Sequence, residues 1–175
     1  MRFASLPFVV AVPALLAACC TAPSSVSAPD VPAALRPPVG QVAYLEALAT
    51  GVQIYECSQK SDSTYEWTFK APEASLATRS GQNLGKHYAG PTWESVDGST
   101  VVGELKAKDP GPTSSAIPWL LLGAKANSGT GAFSSAKSIQ RISTSGGLAP
   151  AEPCGADVLH KVARVPYTAS YYFYR

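Results

Sequence analysis

Short runs in which apolar and polar residues alternate limit most strongly what this chain can fold into. In residues 65–71, Tyr, Trp, Phe and Ala alternate with Glu, Thr and Lys, and residues 167–174 read Tyr-Thr-Ala-Ser-Tyr-Tyr-Phe-Tyr. A period of two places alternate side chains on opposite faces of a β-strand. Residues 97–99, Asp-Gly-Ser, separate two further runs and are typical of a hairpin. The pattern predicts an all-β fold, either a single antiparallel β-sandwich or a small barrel.

Composition excludes several other classes. The 175 residues include 14 Gly and 15 Pro, and only 15% are charged, which argues against a coiled coil or an acidic disordered chain. The 14 basic and 12 acidic side chains leave a net charge of +2, without a basic run, so no nucleic-acid partner is expected. Residues 117–122 are apolar on both faces and predict a strand at the centre of a sandwich.

The N-terminus has the composition of an export signal. Arg2 is followed by residues 3–18 without a charge, and the run ends in Leu-Ala-Ala before Cys19. This length suits the apolar region of a secretory signal peptide. The four residues 16–19 resemble the bacterial lipobox, which implies a signal peptide at 1–18 and a lipidated Cys19. The alternative is an ordinary signal peptide whose cleavage leaves Cys19 and Cys20 incidental.

Lipidation implies a place in the cell. The protein is expected to be exported and attached to a membrane through its N-terminal lipid. The second mature residue, Cys20, is not the Asp that commonly retains such proteins in the inner membrane, so the periplasmic face of the outer membrane is expected. Residues 19–38 are rich in Pro, Ser and Ala and predict a semi-extended tether, followed by a β-domain at 39–175.

Two cysteines remain in the predicted β-domain, Cys57 and Cys154. In an oxidising periplasm, such a pair predicts one disulfide that closes a loop of about 97 residues. Metal binding is the alternative, but two distant thiols and two histidines in unrelated contexts lack the spacing of a metal site. No metal ligand set is therefore predicted.

Several segments, in the same order, resemble the family catalogued as domain of unknown function 3455, over roughly residues 40–174. The segments that carry the resemblance are residues 51–57 (GVQIYEC), 67–74 (WTFKAPEA), 85–94 (GKHYAGPTWE), 117–122 (IPWLLL), 139–147 (IQRISTSGG) and 165–174 (VPYTASYYFY). Its members are mostly secreted bacterial and fungal proteins, and the resemblance brings no catalytic residues to this chain.

One stretch of eleven residues groups side chains with useful chemistry. His87, Tyr88, Trp93, Glu94 and Asp97 lie in one predicted hairpin, so a base, two carboxylates and two aromatic rings would converge there. A zinc site on His87, Glu94 and Asp97 is conceivable, although the spacing matches no short ligand motif. The alternative interpretation is structural: packed strand residues, a bend and a turn.

Arg141 and the strand aromatics give a second set of candidates. Arg141 lies between two isoleucines, where it either faces solvent or pairs with a carboxylate such as Glu94; pointing inward, it would be an anion clamp. The rings of Trp93, Tyr88 or the Tyr172 and Tyr174 face would offer a stacking surface for a glycan, or they are core residues.

These observations predict a lipid-anchored cell-envelope protein that acts as a ligand-binding or structural module, with a glycan or small polar ligand as a possible partner. The alternative is a hydrolase or other cofactor-free enzyme with its site near His87. No cofactor is expected, because no residue of the chain requires one. A dinucleotide in particular is not expected, since no Gly-x-Gly-x-x-Gly turn joins a strand to a helix.

Overall fold

A computed structural model describes Met1 and residues 26–175, so the predicted signal peptide and Cys19 lie outside the described residues. Nearly all of its regular structure is antiparallel β-sheet. The eight strands are β1 (Ala43–Gln59), β2 (Tyr65–Ala77), β3 (Asn83–Tyr88), β4 (Thr92–Ser95), β5 (Thr100–Asp109), β6 (Trp119–Ser128), β7 (Ser138–Gly146) and β8 (Val162–Tyr174). Within the described residues, no helix has the length and apolar character needed to span a bilayer.

The strands close into a barrel in simple sequence order. Each pairs with the next along the chain, and β8 pairs with β1. Of the two predicted architectures, the structure therefore adopts the barrel. Connections alternate between its two ends. We call one end the open end; its connections are residues 60–64, 89–91, 110–118 and 147–161. The other is the closed end, with connections 78–82, 96–99 and 129–137.

The alternation predicted for the last strand sorts its side chains correctly. Tyr167, Ala169, Tyr171 and Phe173 belong to the interior core, together with Trp93 from β4. The residues between them face outward. The predicted hairpin of residues 97–99 is also present, and Gly98 has a φ of 83°, a conformation that glycine adopts without steric cost.

Residues 26–38, the described part of the predicted tether, pack on the outside of the barrel. Val31 is buried beside a short 3-10 helix, Ala33–Leu35, whose last residue is fully buried. Gln140 in β7 donates a hydrogen bond from Nε2 to the Leu35 carbonyl, at 2.6 Å. Prolines favour an extended chain, but Val31 and Leu35 gain free energy by covering an apolar surface.

This covering explains a pattern that sequence reasoning assigned to the centre of a sandwich. Residues 117–122 are apolar on both faces because Leu122 faces the interior while Leu121 lies beneath the N-terminal segment. The predicted strand also begins later than expected, at Trp119. Pro118 has no amide hydrogen to donate to a neighbouring strand, so Ile117 remains in the preceding connection, where its N–H binds the Gly146 carbonyl.

The predicted disulfide is present and lies at the open end. Cys57, near the end of β1, is bonded to Cys154 in the connection 147–161, with 5.4 Å between the two Cα atoms. The bridge spans 97 residues of sequence. It fixes the longest of the connections to the wall of the barrel.

Candidate functional site

His87 and Trp93 form a cross-strand pair that points into the barrel. They lie directly opposite each other on β3 and β4. Their rings are stacked, with centroids 4.3 Å apart and planes 13° from parallel. Tyr171 from β8 meets both rings edge-on. All three side chains are buried, so together they form an aromatic cluster in the interior of the barrel.

Burial fixes His87 in its neutral form. Burial and, to a smaller extent, the positive charge of Arg141 lower the pKa of His87 to about 3, although the hydrogen bond to the Thr92 carbonyl acts in the opposite direction. That bond joins Nδ1 to the carbonyl oxygen at 2.8 Å. Because a carbonyl only accepts, Nδ1 carries the proton and Nε2 is left with its lone pair. His87 therefore acts as a rigid, uncharged ring.

Arg141 also points inward, which corrects both the solvent-facing interpretation and the pairing with Glu94. In β7, Ile139 belongs to the interior core, so Arg141, two residues on, shares that face. Gln140 and Ile142 face outward and are covered by the N-terminal segment. The flanking isoleucines did not indicate the direction of the Arg141 side chain, because both faces of β7 are buried.

The guanidinium of Arg141 is held by the backbone. Nε and Nη2 both donate to the Pro118 carbonyl, at 3.2 and 2.8 Å. No carboxylate of residues 26–175 forms an ion pair with it. Arg141 lies directly opposite Tyr171 on the neighbouring strand β8. Burial raises the pKa of the Tyr171 phenol well above its usual value, and the charge of Arg141 opposes that rise. Arg141 is therefore a cation aimed at the interior without a protein anion.

A cavity of about 330 Å³ lies at the open end and brings these side chains together. Its size is at the lower limit of typical small-molecule sites. Phe69 and Leu105 stand at its mouth, each about half exposed, at 49% and 54%. The cavity is lined by Phe69, Lys70, Pro72, His87, Gly90, Pro91, Trp93, Leu105, Leu120, Leu122, Arg141 and Tyr171. The lining is mostly apolar and contains no carboxylate.

Two of the predicted site residues lie on the opposite face of the same strands. The Tyr88 hydroxyl donates to Glu94 Oε2 at 2.8 Å, and Lys86 Nζ lies 3.3 Å from Oε1. Lys86 and Glu94 are a cross-strand pair adjacent to the His87–Trp93 pair, so they must project outward. Tyr88 and Glu94 therefore form a surface cluster and do not contact His87.

Asp97 is at the closed end, in the connection that follows β4. It accepts hydrogen bonds from the backbone and hydroxyl of Ser99, at 2.8 and 2.6 Å, and from the Ala132 N–H at 2.8 Å. These bonds, led by that of the Ser99 hydroxyl, lower the pKa of Asp97 to about 2. Its role is to join two connections.

The separation of these groups removes two of the arrangements considered from sequence. Within residues 26–175, no cluster of three or more His, Cys, Asp or Glu side chains is placed to hold a metal ion, and His87, Glu94 and Asp97 are dispersed. No described Asp or Glu side chain is hydrogen-bonded to His87, whose ring is bonded to the Thr92 carbonyl.

Comparison with known protein families assigns the domain. The family model described as "Protein of unknown function (DUF3455)" matches residues 38–175. The chain belongs to this family. The match confirms the resemblance found in the sequence. No curated protein and no solved structure matches the chain.

In this DUF3455 domain, sequence reasoning found three of the cavity residues, His87, Trp93 and Arg141, and missed most of the others. Tyr171 carried a signal, since the alternation in β8 places it on the same face as Phe173. The sequence around Phe69 and Leu105 contains no signal that they line a cavity. Whether a strand residue lines a cavity or fills a core depends on which connections cover the barrel end, and local alternation does not encode that.

Proposed function

We propose that this DUF3455 domain is a binding module that takes a small ligand with an apolar body into the cavity at its open end. The observation that carries the proposal is the cavity itself, open at one end of a closed barrel and lined mainly by apolar side chains around one inward cation. Barrels of eight strands enclose just enough space for one small ligand.

The lining favours an apolar body over a sugar. Sugar binding by stacking requires an aromatic face open to the ligand. Trp93 has its face covered by His87 and is 1% exposed, while Tyr172 and Tyr174 are covered by the N-terminal segment. Leu105, Leu120 and Leu122 instead offer aliphatic surface to the cavity.

We further propose that the domain works in the cell envelope, held by a lipid on Cys19. The supporting observations are the lipobox-like residues 16–19 and a disulfide, which is typical of an oxidising compartment. In a two-membrane cell, the periplasmic face of the outer membrane is the proposed location. Mass spectrometry of the mature N-terminus tests the anchor, and an unmodified Cys19 would exclude it.

Binding is tested with the neutral dye N-phenyl-1-naphthylamine, whose fluorescence rises in an apolar site. We expect saturable, one-to-one binding to the wild-type domain. Leu120→Trp, which adds bulk inside the cavity, should abolish the signal while the protein stays folded. Val96→Trp is the matched control, because Val96 is 67% exposed at the closed end and an added ring there meets solvent. Equal dye binding by both variants would refute the cavity as the site.

A further inference from the structure

Arg141 is the only basic side chain of residues 26–175 that is not exposed. Of the twelve exposed ones, six have a carboxylate partner, and the other six are solvated; the paired ones are Lys60, Lys70, Arg79, Lys86, Lys106 and Arg164. Lys70, which also borders the cavity, is balanced by Glu56 at 3.3 Å. The cation that lies deepest, where water is scarcest and a charge is costliest, is paired with no carboxylate of residues 26–175.

The position of Arg141 is nevertheless fixed. A guanidinium carries five N–H donors, and the Pro118 carbonyl receives a bond from Nε and another from Nη2. Both bonds tie one edge of the fork to the connection 110–118. The Tyr171 hydroxyl is a further side-chain partner of the guanidinium, so three of its five N–H groups are accounted for. The structure thus holds the planar fork in one orientation and leaves donors free.

The positive field of Arg141 reaches the polar rings of the interior. It lowers the pKa of His87 and opposes the burial-driven rise in the pKa of Tyr55, Tyr167 and Tyr171. Neutral His87 does not cancel this field, and no Asp or Glu lines the cavity. An entering anion would therefore meet the positive charge of Arg141, which no carboxylate balances, and no negative charge in the lining.

The rest of the lining determines what else the ligand must carry. Leu105, Leu120 and Leu122 provide apolar surface, and Phe69 extends it to the mouth. A volume of about 330 Å³ admits one short acyl chain or one ring system. A polyanion would find a single cation that no carboxylate balances and much apolar surface, so one negative charge on an apolar body is the best complement.

We infer that the ligand class is an amphipathic carboxylate, with its carboxylate bound by the guanidinium of Arg141 and its apolar body packed against the leucines of β5 and β6. A planar carboxylate presents two oxygens to a planar fork, which is why arginine suits this group. The inference rests on the proposed function and specifies the ligand of the same cavity.

Octanoate and octanol form the test pair, because they share an eight-carbon skeleton and differ mainly in charge at neutral pH. Each is titrated into the domain by calorimetry, and each also displaces N-phenyl-1-naphthylamine. We expect octanoate to bind at least about tenfold more tightly than octanol, since hydrogen bonds to a charged group are worth more than neutral ones.

Variants of Arg141 connect the preference to its charge and shape. Arg141→Gln should weaken octanoate about tenfold or more while changing octanol little, and Arg141→Lys should restore only part of the difference. The matched control is Lys125→Gln, which removes one positive charge from an exposed position on β6. It should keep the wild-type preference, and all variants should show the wild-type melting temperature within a few degrees.

The outcomes separate the two proposals. Dye binding that Leu120→Trp blocks, combined with equal affinities for octanoate and octanol, would uphold the cavity as a binding site and overturn the inference about Arg141. An octanoate preference that Arg141→Gln leaves intact would also overturn it. If wild-type protein binds neither the dye nor octanoate, both the proposed function and the inference are wrong.

Discussion

At the closed end of the barrel, Phe133 lies fully buried against Phe173, and Asp97 joins the connections 96–99 and 129–137 through the Ala132 N–H. At the open end, Arg141 and His87 border a cavity, and the longest connection is held by a disulfide. Packing and local hydrogen bonds stabilise the first end. The second relies on a covalent bond and keeps its interior accessible, so stability and binding are divided between the two ends.

The largest effect should come from removing the disulfide at the open end. In the double variant Cys57→Ala with Cys154→Ala, we expect the free energy of unfolding to fall by about 4 to 5 kcal/mol, because a loop of this length strongly restricts the unfolded chain. Denaturant-induced unfolding measures the change. The single variant Ser58→Ala is the control. A loss below about 1 kcal/mol would show that the open end is held by packing as well.

The second comparison removes a ring from the closed end. Phe133→Ala should lower the free energy of unfolding by about 4 kcal/mol, because it leaves a cavity beneath Phe173. The affinity for N-phenyl-1-naphthylamine should change by no more than about twofold, since distant sites act almost independently. Chemical denaturation and dye titration on the same preparation measure both. Parallel losses of stability and affinity would contradict the division between the ends.

The third prediction concerns the stability of the two ends in acid. The two ends should lose stability in different pH ranges. His87 has a folded pKa of about 3 against an ordinary value of 6.5, so its contribution to stability is complete above the ordinary value and is lost as the pH falls towards about 3. Between about pH 7 and about pH 4, this amounts to about 3 kcal/mol. His87→Asn should reduce the acid dependence in that range.

Asp97 should respond at lower pH. Its folded pKa is about 2 against an ordinary 3.8, so its contribution is complete above the ordinary value and is lost as the pH falls through the folded one. Asp97→Asn should leave the range controlled by His87 unchanged and alter only the most acidic limb. Unfolding measured across the pH scale compares the two variants, and identical profiles would contradict the assignment of the two ranges.

The alternation of residues was sufficient to predict the all-β fold, the inward face of β8 and the hairpin at Gly98, because period two depends only on local backbone geometry. Cysteine count and spacing were sufficient to predict the disulfide.

The residues that line the cavity could not be predicted from local alternation alone. Arg141 was ambiguous because β7 is buried on both faces, and the outer cover comes from residues 26–38, which are distant in sequence. His87 and Glu94 were grouped by proximity along the chain, although strand parity sends them to opposite sides.

The seam between β1 and β8 has a consequence for how the chain reaches this state. Every other pairing is between sequential strands and can form soon after its two strands exist, but the seam joins the first strand to the last. Until β8 is available, β1 keeps an unpaired edge along its length, and such an edge can pair with another chain. Pairing of β1 with β8 closes a long loop, which costs conformational entropy, so this pairing should be the slow step of folding. A chain truncated before Val162 should therefore aggregate rather than form a smaller barrel.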